Sequence, residues 1–99
     1  MLVRMSEARV VPGRLEEFAE LTRRVAFPLM RAAPGFLGGE LYRAEDPPLL
    51  VMITRWRDED ALAAFDGPDW RDQPVILADE EQFLVRPSHV WHFTPVDVD

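Results

Sequence analysis

The sequence predicts an α+β fold of the ferredoxin-like kind: β-α-β-β-α-β in order, a four-stranded antiparallel sheet, and two helices on one face. Three observations predict it. Strand-like and helix-like patterns alternate along the 99 residues in that order. Glycine, proline and acidic turn signals separate them. The third and fourth strand segments, Leu49-Leu50-Val51-Met52-Ile53 and Val90-Trp91-His92-Phe93, are apolar on both faces, as expected of strands in a covered sheet.

Leu2 to Val11 reads as the first strand, dense in β-branched and long apolar residues, and Pro12-Gly13 ends it. Leu15, Phe18, Thr22, Val25 and Leu29 recur at three- and four-residue steps, one helical stripe, with Glu16, Glu17, Glu20, Arg23 and Arg24 on the opposite side. Pro28 is expected to kink or end this helix near Phe27. Pro34-Gly35 is a turn, and Phe36 to Arg43 the second strand, where Gly38-Gly39 predicts a bulge or a close backbone approach. Glu45 to Pro48 makes a hairpin-like connection to the third strand, Leu49 to Arg57. Asp58 is the expected N-cap of a second helix, Ala61, Leu62 and Phe65 its inward stripe, and Gly67-Pro68 its stop. Asp69 to Leu84 carries little pattern beyond a short helix around Pro74 to Glu81. Ser88 to Val96 is the last strand.

The length fits one domain, residues 1–99, with a thin core. Apolar residues make up 47% of the chain and run throughout it, which argues against disorder. The longest apolar run, Leu49 to Ile53, is far short of a membrane span, and the N-terminus lacks a signal-peptide stretch, so a cytoplasmic protein with no membrane partner is expected. A net charge of −7 repels phosphate backbones, so no nucleic-acid partner is expected. Without cysteine there is no disulfide, thiol nucleophile or thiolate metal site. Two helices cover one sheet face only, and 99 residues leave no third layer for the other. A second copy of the chain, packed on the face that carries Val51 and Ile53, is the expected cover.

Val11-Pro12-Gly13 before the first helix, Ala33-Pro34-Gly35-Phe36-Leu37 after it, and Trp56-Arg57-Asp58-Glu59-Asp60-Ala61-Leu62-Ala63-Ala64-Phe65 from strand into second helix carry a family resemblance. Together they resemble the antibiotic biosynthesis monooxygenase superfamily of dimeric α+β barrels, over roughly Val3 to Val96. These motifs are structural and speak to fold more than to chemistry. The resemblance implies enzymes that oxygenate electron-rich polycyclic phenols without metal or flavin, so no cofactor is expected. One such enzyme has a cavity-facing asparagine, tryptophan and tyrosine at positions that fall on Met52, Trp56 and Leu62; only the tryptophan is kept. The asparagine, tryptophan and histidine of haem-degrading relatives fall on Ala8, Phe65 and Val75, which argues against haem degradation.

By the same resemblance, Arg4, Ser6, Ala8, Met52, Thr54 and Trp56 face the helices, as do Phe18, Thr22, Val25 and Phe65. The substrate-binding set expected is Trp56, Met52, Ser6, Phe18, Thr22 and Phe65, an apolar, aromatic pocket with a few polar points; the same residues also suit a filled core. Trp56 is either a plug or a ring wall. Arg4 either pairs with a carboxylate, emerges at the sheet edge, or steadies an anionic ligand. His92 is the expected general base, its alternative a core-edge histidine. His89 and His92 sit three apart on a strand and point to opposite faces, so they cannot chelate one ion. No nucleophile elbow accompanies Ser6 or Ser88. The acidic runs Asp58-Glu59-Asp60 and Asp79-Glu80-Glu81 read as solvated charge.

These readings lead to a cofactor-independent monooxygenase-like enzyme for a quinol- or anthrone-type aromatic substrate, with His92 as base and Arg4 as the cation for a phenolate. The alternative is a non-catalytic dimer of the same fold that binds a small ligand or serves under stress. A cavity in which Arg4 or His92 sits beside Trp56 favours the enzyme.

Overall fold

The computed structural model describes residues 1–98, with only the backbone at Arg86 and Pro87. Four strands, β1 (Leu2–Val10), β2 (Phe36–Glu45), β3 (Pro48–Trp56) and β4 (Leu84–Phe93), form one antiparallel sheet in the order β2-β3-β1-β4. Helices α1 (Leu15–Leu21), α2 (Phe27–Arg31) and α3 (Glu59–Asp66) and a 3₁₀ segment (Ala78–Phe83) pack on one face. This is the expected ferredoxin-like α+β arrangement.

Alternation along the strands sorts the side chains. Leu2, Arg4, Ser6 and Val10 of β1 are buried, as are Leu50, Thr54 and Trp56 of β3. Two apolar cores result. One gathers Leu2, Phe27, Met30, Trp56, Ala61, Leu62 and Trp70; the other joins Val10, Leu15, Phe18, Leu50 and Phe83. The opposite face remains open, with Tyr42, Trp91 and Phe93 exposed on it.

The first helix departs from expectation at the proline. A π-helical turn, Thr22–Ala26, joins α1 to α2, and the Phe27 N–H donates to Thr22 O, five residues back. A proline has no N–H to give and its ring crowds the carbonyl four residues earlier. The widened turn just before Pro28 lets the helical path continue to Arg31 instead of ending near Phe27. It also inserts extra rotation, so the apolar stripe slips. Val25 (39% exposed) and Leu29 (49%) turn outward, and Phe27 (5%) and Met30 (4%) take the core positions.

The Gly38-Gly39 expectation holds in both senses. The β2–β3 register shifts between Phe36 and Gly38. A Cβ on Gly39 would lie 2.6 Å from Ile53 O and 3.3 Å from Phe27 Cε1, so only glycine lets helix and neighbouring strand approach this closely. Asp58 caps α3 by accepting the Ala61 N–H at 2.9 Å, and Gly67, at φ 103°, ends it. β4 begins at Leu84, four residues before the expected Ser88, and ends at Phe93, ahead of Val96. The short helix expected around Pro74 to Glu81 is the 3₁₀ segment Ala78–Phe83.

Candidate functional site

Between the helices and the inner sheet face lie two adjoining hollows. Each leaves about 50 Å³ for the centre of a water-sized molecule. Ser6, Met52, Pro74, Val75 and Glu80 border both. Of the expected binding residues, Trp56, Met52, Ser6 and Phe65 line the first, and Phe18, Thr22, Ser6 and Met52 the second. Arg4 also lines the first.

Trp56 is held on every side. The indole N–H donates to Thr54 Oγ1 at 3.0 Å, two residues back on the same face of β3. Phe36 meets it edge-on at 5.1 Å and Phe65 lies against it at 5.3 Å. A fixed, nearly sealed indole with one side on the cavity is a ring wall that also fills core.

Arg4 has three partners. Nη1 lies 2.7 Å from Asp66 Oδ2 at the end of α3, an ion pair off the line of a directed hydrogen bond. Nη1 also donates to Trp70 O at 3.2 Å, and Nη2 to Gln73 O at 2.8 Å. The guanidinium thus ties the irregular strap of residues 67–77 across the cavity mouth. Burial pulls the guanidinium below its ordinary value, and the Asp66 charge opposes this. Burial also lifts the Asp66 carboxyl, again against its partner's charge.

His92 is the cross-strand neighbour of Arg4, but it packs edge-on against Trp70 at 4.9 Å and does not border either hollow. Among the described residues its buried Nε2 has no hydrogen-bond partner. Desolvation, followed by the charges of Arg4 and Arg71, lowers its pKa, so the ring is neutral near pH 7. His89 is exposed and stacks beside Trp91, on the opposite face from His92. Among the described residues, no group of three or more histidine or carboxylate side chains has metal-binding geometry.

One reading of the sequence is corrected outright. Glu80, taken as solvated with Asp79 and Glu81, is only 6% exposed and borders both hollows. Its Oε1 accepts the Leu77 N–H at 2.8 Å. Burial raises its pKa and that hydrogen bond opposes the rise. A run of three acids looks like surface charge. The signal that distinguishes Glu80 is the apolar Pro74-Val75-Ile76-Leu77 before it, which lies over the cavity and takes the following turn inward.

The family model described as antibiotic biosynthesis monooxygenase matches residues 1–75. A search of curated proteins found no match. Among solved structures, a monooxygenase from the gene ActVA-Orf6 of Streptomyces coelicolor, in complex with the ligand nanaomycin D, is 22% identical, with 99% of this chain and 89% of that chain covered at a TM-score of 0.72. A putative antibiotic biosynthesis monooxygenase from Bordetella bronchiseptica is 24% identical, at 96% coverage of each chain and a TM-score of 0.75. Rv0793 from Mycobacterium tuberculosis is 24% identical, with 97% and 95% covered and a TM-score of 0.72.

Proposed function

The chain belongs to the antibiotic biosynthesis monooxygenase family, and from that membership we propose that its cavity oxygenates a quinol- or anthrone-type aromatic substrate without a cofactor. The observation that carries this reading is the Trp56 indole, fixed between Phe36 and Phe65 on the wall of a mostly apolar cavity that also presents Arg4. The nanaomycin D bound to the Streptomyces coelicolor monooxygenase supports a small-molecule ligand in a cavity of this fold. The chemistry asks little of the protein. An anthrone that loses a proton becomes electron-rich enough to reduce oxygen directly; its methylene carbon gains one oxygen atom, and its two hydrogens leave with the other as water. The protein contributes a dry, shaped site and a proton acceptor.

The unit proposed is a homodimer of one-domain subunits joined through the open sheet face. In this reading Arg4, already paired with Asp66, holds the strap and adds positive potential to the wall. His92 acts as base only if the Trp70 edge moves aside. The Arg4–Asp66 pairing also favours a second reading, a non-catalytic ligand-binding dimer, because it leaves the cation partly neutralised.

Oxygen uptake with a panel of quinols and anthrones under air, chelator present, decides between them. The oxygenase turns over and ignores the chelator; binding without oxygen uptake leaves the second reading. Trp56→Ala is expected to raise KM more than it lowers kcat. A collapse in melting temperature with KM unchanged would assign Trp56 to the core alone.

A further inference from the structure

We propose that the proton acceptor of this cavity is the Glu80 carboxylate, acting through Oε2 on an acidic ring hydroxyl of the ligand. The inference rests on the functional reading above and identifies the group that starts its chemistry.

Position comes first. Among the described residues, five border both hollows, and Glu80 is the one titratable group of the five. A ligand spanning the two would lie alongside it. The carboxylate is also fixed: Oε1 is held by the Leu77 N–H, and Glu80 N–H donates to Leu77 O at 2.9 Å. The 3₁₀ segment behind it is anchored by Phe83, which stacks on Phe18 at 5.7 Å and whose carbonyl accepts the Val11 N–H at 2.8 Å. Oε2 has no partner among the described residues.

The rival groups are engaged, absent from the wall or, for Glu7, confined to one hollow. Among the described residues, three charged groups share the two hollows with Glu80. Arg4 and Asp66, from β1 and α3, neutralise each other, and Glu7 borders the second hollow from β1. Asp79 and Glu81 flank Glu80 on its own segment and are exposed. The Thr22 hydroxyl donates to Phe18 O at 2.9 Å, while Ser6 and Ser88 are too weakly basic to hold a phenolic proton. His92 lies behind Trp70.

Burial makes the transfer easier than to an exposed glutamate. An ionised carboxylate is costly to bury in a mostly apolar cavity where Arg4 is already paired with Asp66. Accepting the ligand's proton spreads that charge over a larger group: the hydroxyl O–H breaks, a Glu80 Oε2–H forms, and the negative charge moves onto the delocalised ring. The raised pKa of Glu80 has the same origin and makes it a stronger base than an exposed glutamate. Once the two methylene hydrogens have left as water, it returns its proton to the ring oxygen.

The test uses two probes, with the full-length wild type, Glu80→Gln and His92→Ala. Oxidation of 1,8-dihydroxyanthrone under air reads turnover, and tryptophan quenching by 1,8-dihydroxyanthraquinone, which has the same ring hydroxyls and cannot be oxidised further, reads binding. Wild-type affinity and turnover are expected to rise with pH through an inflection above 4.5, the ordinary glutamate value. Glu80→Gln should abolish that inflection and lower kcat by about a hundredfold or more, the usual contribution of a positioned base. His92→Ala should keep the inflection. If the inflection persists in Glu80→Gln, or vanishes in His92→Ala alone, this inference is overturned and the functional reading stands. If the anthraquinone binds with a Glu80-dependent inflection but the anthrone is not oxidised, the acceptor stands and the oxygenase reading falls. If neither probe binds the wild type, both fall.

Discussion

At the scale of single residues, the cavity is built around groups whose charge the fold disfavours. Glu80 binds its proton more tightly folded than unfolded, because burial raises its pKa. Between those two pKa values the native state therefore holds more protons than the unfolded state, and stability falls as pH rises through that window. A tenfold difference in proton affinity between the two states is worth about 1.36 kcal/mol. Glu80→Gln keeps an oxygen for the Leu77 N–H and removes the charge. It should melt at a higher temperature than wild type at pH 7, and the gap should close as pH drops toward 4. Calorimetry across that range checks this, and an equal gap at both ends would mean that Glu80 ionises as freely in the fold as outside it. Asp66, also raised by burial, adds to the wild-type slope and is common to both proteins. The residue thus gives up stability at neutral pH to keep a base inside, a compromise more common at functional sites than in inert cores.

At the scale of elements, what could be read from sequence was whatever local pattern controls, and what could not was set by packing. Asp58 as N-cap, Gly67 as stop and the Gly38-Gly39 bulge all follow from backbone chemistry a few residues wide, and all are present. The Leu15–Phe18–Thr22 stripe holds for the same reason, then fails at Val25 and Leu29, because a π turn ahead of Pro28 resets the helical phase and puts Phe27 and Met30 inside. Seven of the eight expected site residues border the hollows, since strand alternation alone aims Arg4, Ser6, Met52 and Trp56 inward; His92 has the inward parity but is screened by Trp70. Trp70 belongs to the strap of residues 67–77, which has no periodicity to read. What organises the strap is one long-range tether, Arg4 to Asp66, Trp70 O and Gln73 O. Arg4→Met is accordingly expected to cost about 3–5 kcal/mol, the usual penalty for leaving a buried charge unpaired. It should also speed hydrogen exchange at residues 70–77 more than in β1 or β3. Exchange that rises evenly over the whole sheet would instead make Arg4 a general core support.

At the scale of the whole molecule, the open sheet face decides what the functional unit is. Register places Ile53, Met5 and Trp91 side by side across three strands, flanked by Tyr42, Val51 and Glu7 in one row and by Val3 and Phe93 in another. Tyr42 (54%), Trp91 (40%) and Phe93 (49%) are exposed there, a contiguous apolar patch of the kind that marks an interface. The Arg55–Glu40 ion pair, Nη2 to Oε1 at 2.9 Å, and Glu7 supply a polar margin. A self-complementary surface of this type is expected to pair two copies about a twofold axis, as most homodimers do. Val51→Glu should therefore give monomers or aggregates in multi-angle light scattering at micromolar concentration. That variant alone is ambiguous, because Val51 sits directly across from Glu7 and a second carboxylate there repels within one subunit. Val51→Lys resolves it. A lysine opposite Glu7 forms a favourable cross-strand pair in the monomer, yet still places a charge within a buried interface. If the face joins two copies, both variants lose the dimer and Val51→Lys keeps a near-native melting transition. If the wild type already runs as a stable monomer at that concentration, the face has another cover and the dimer is wrong.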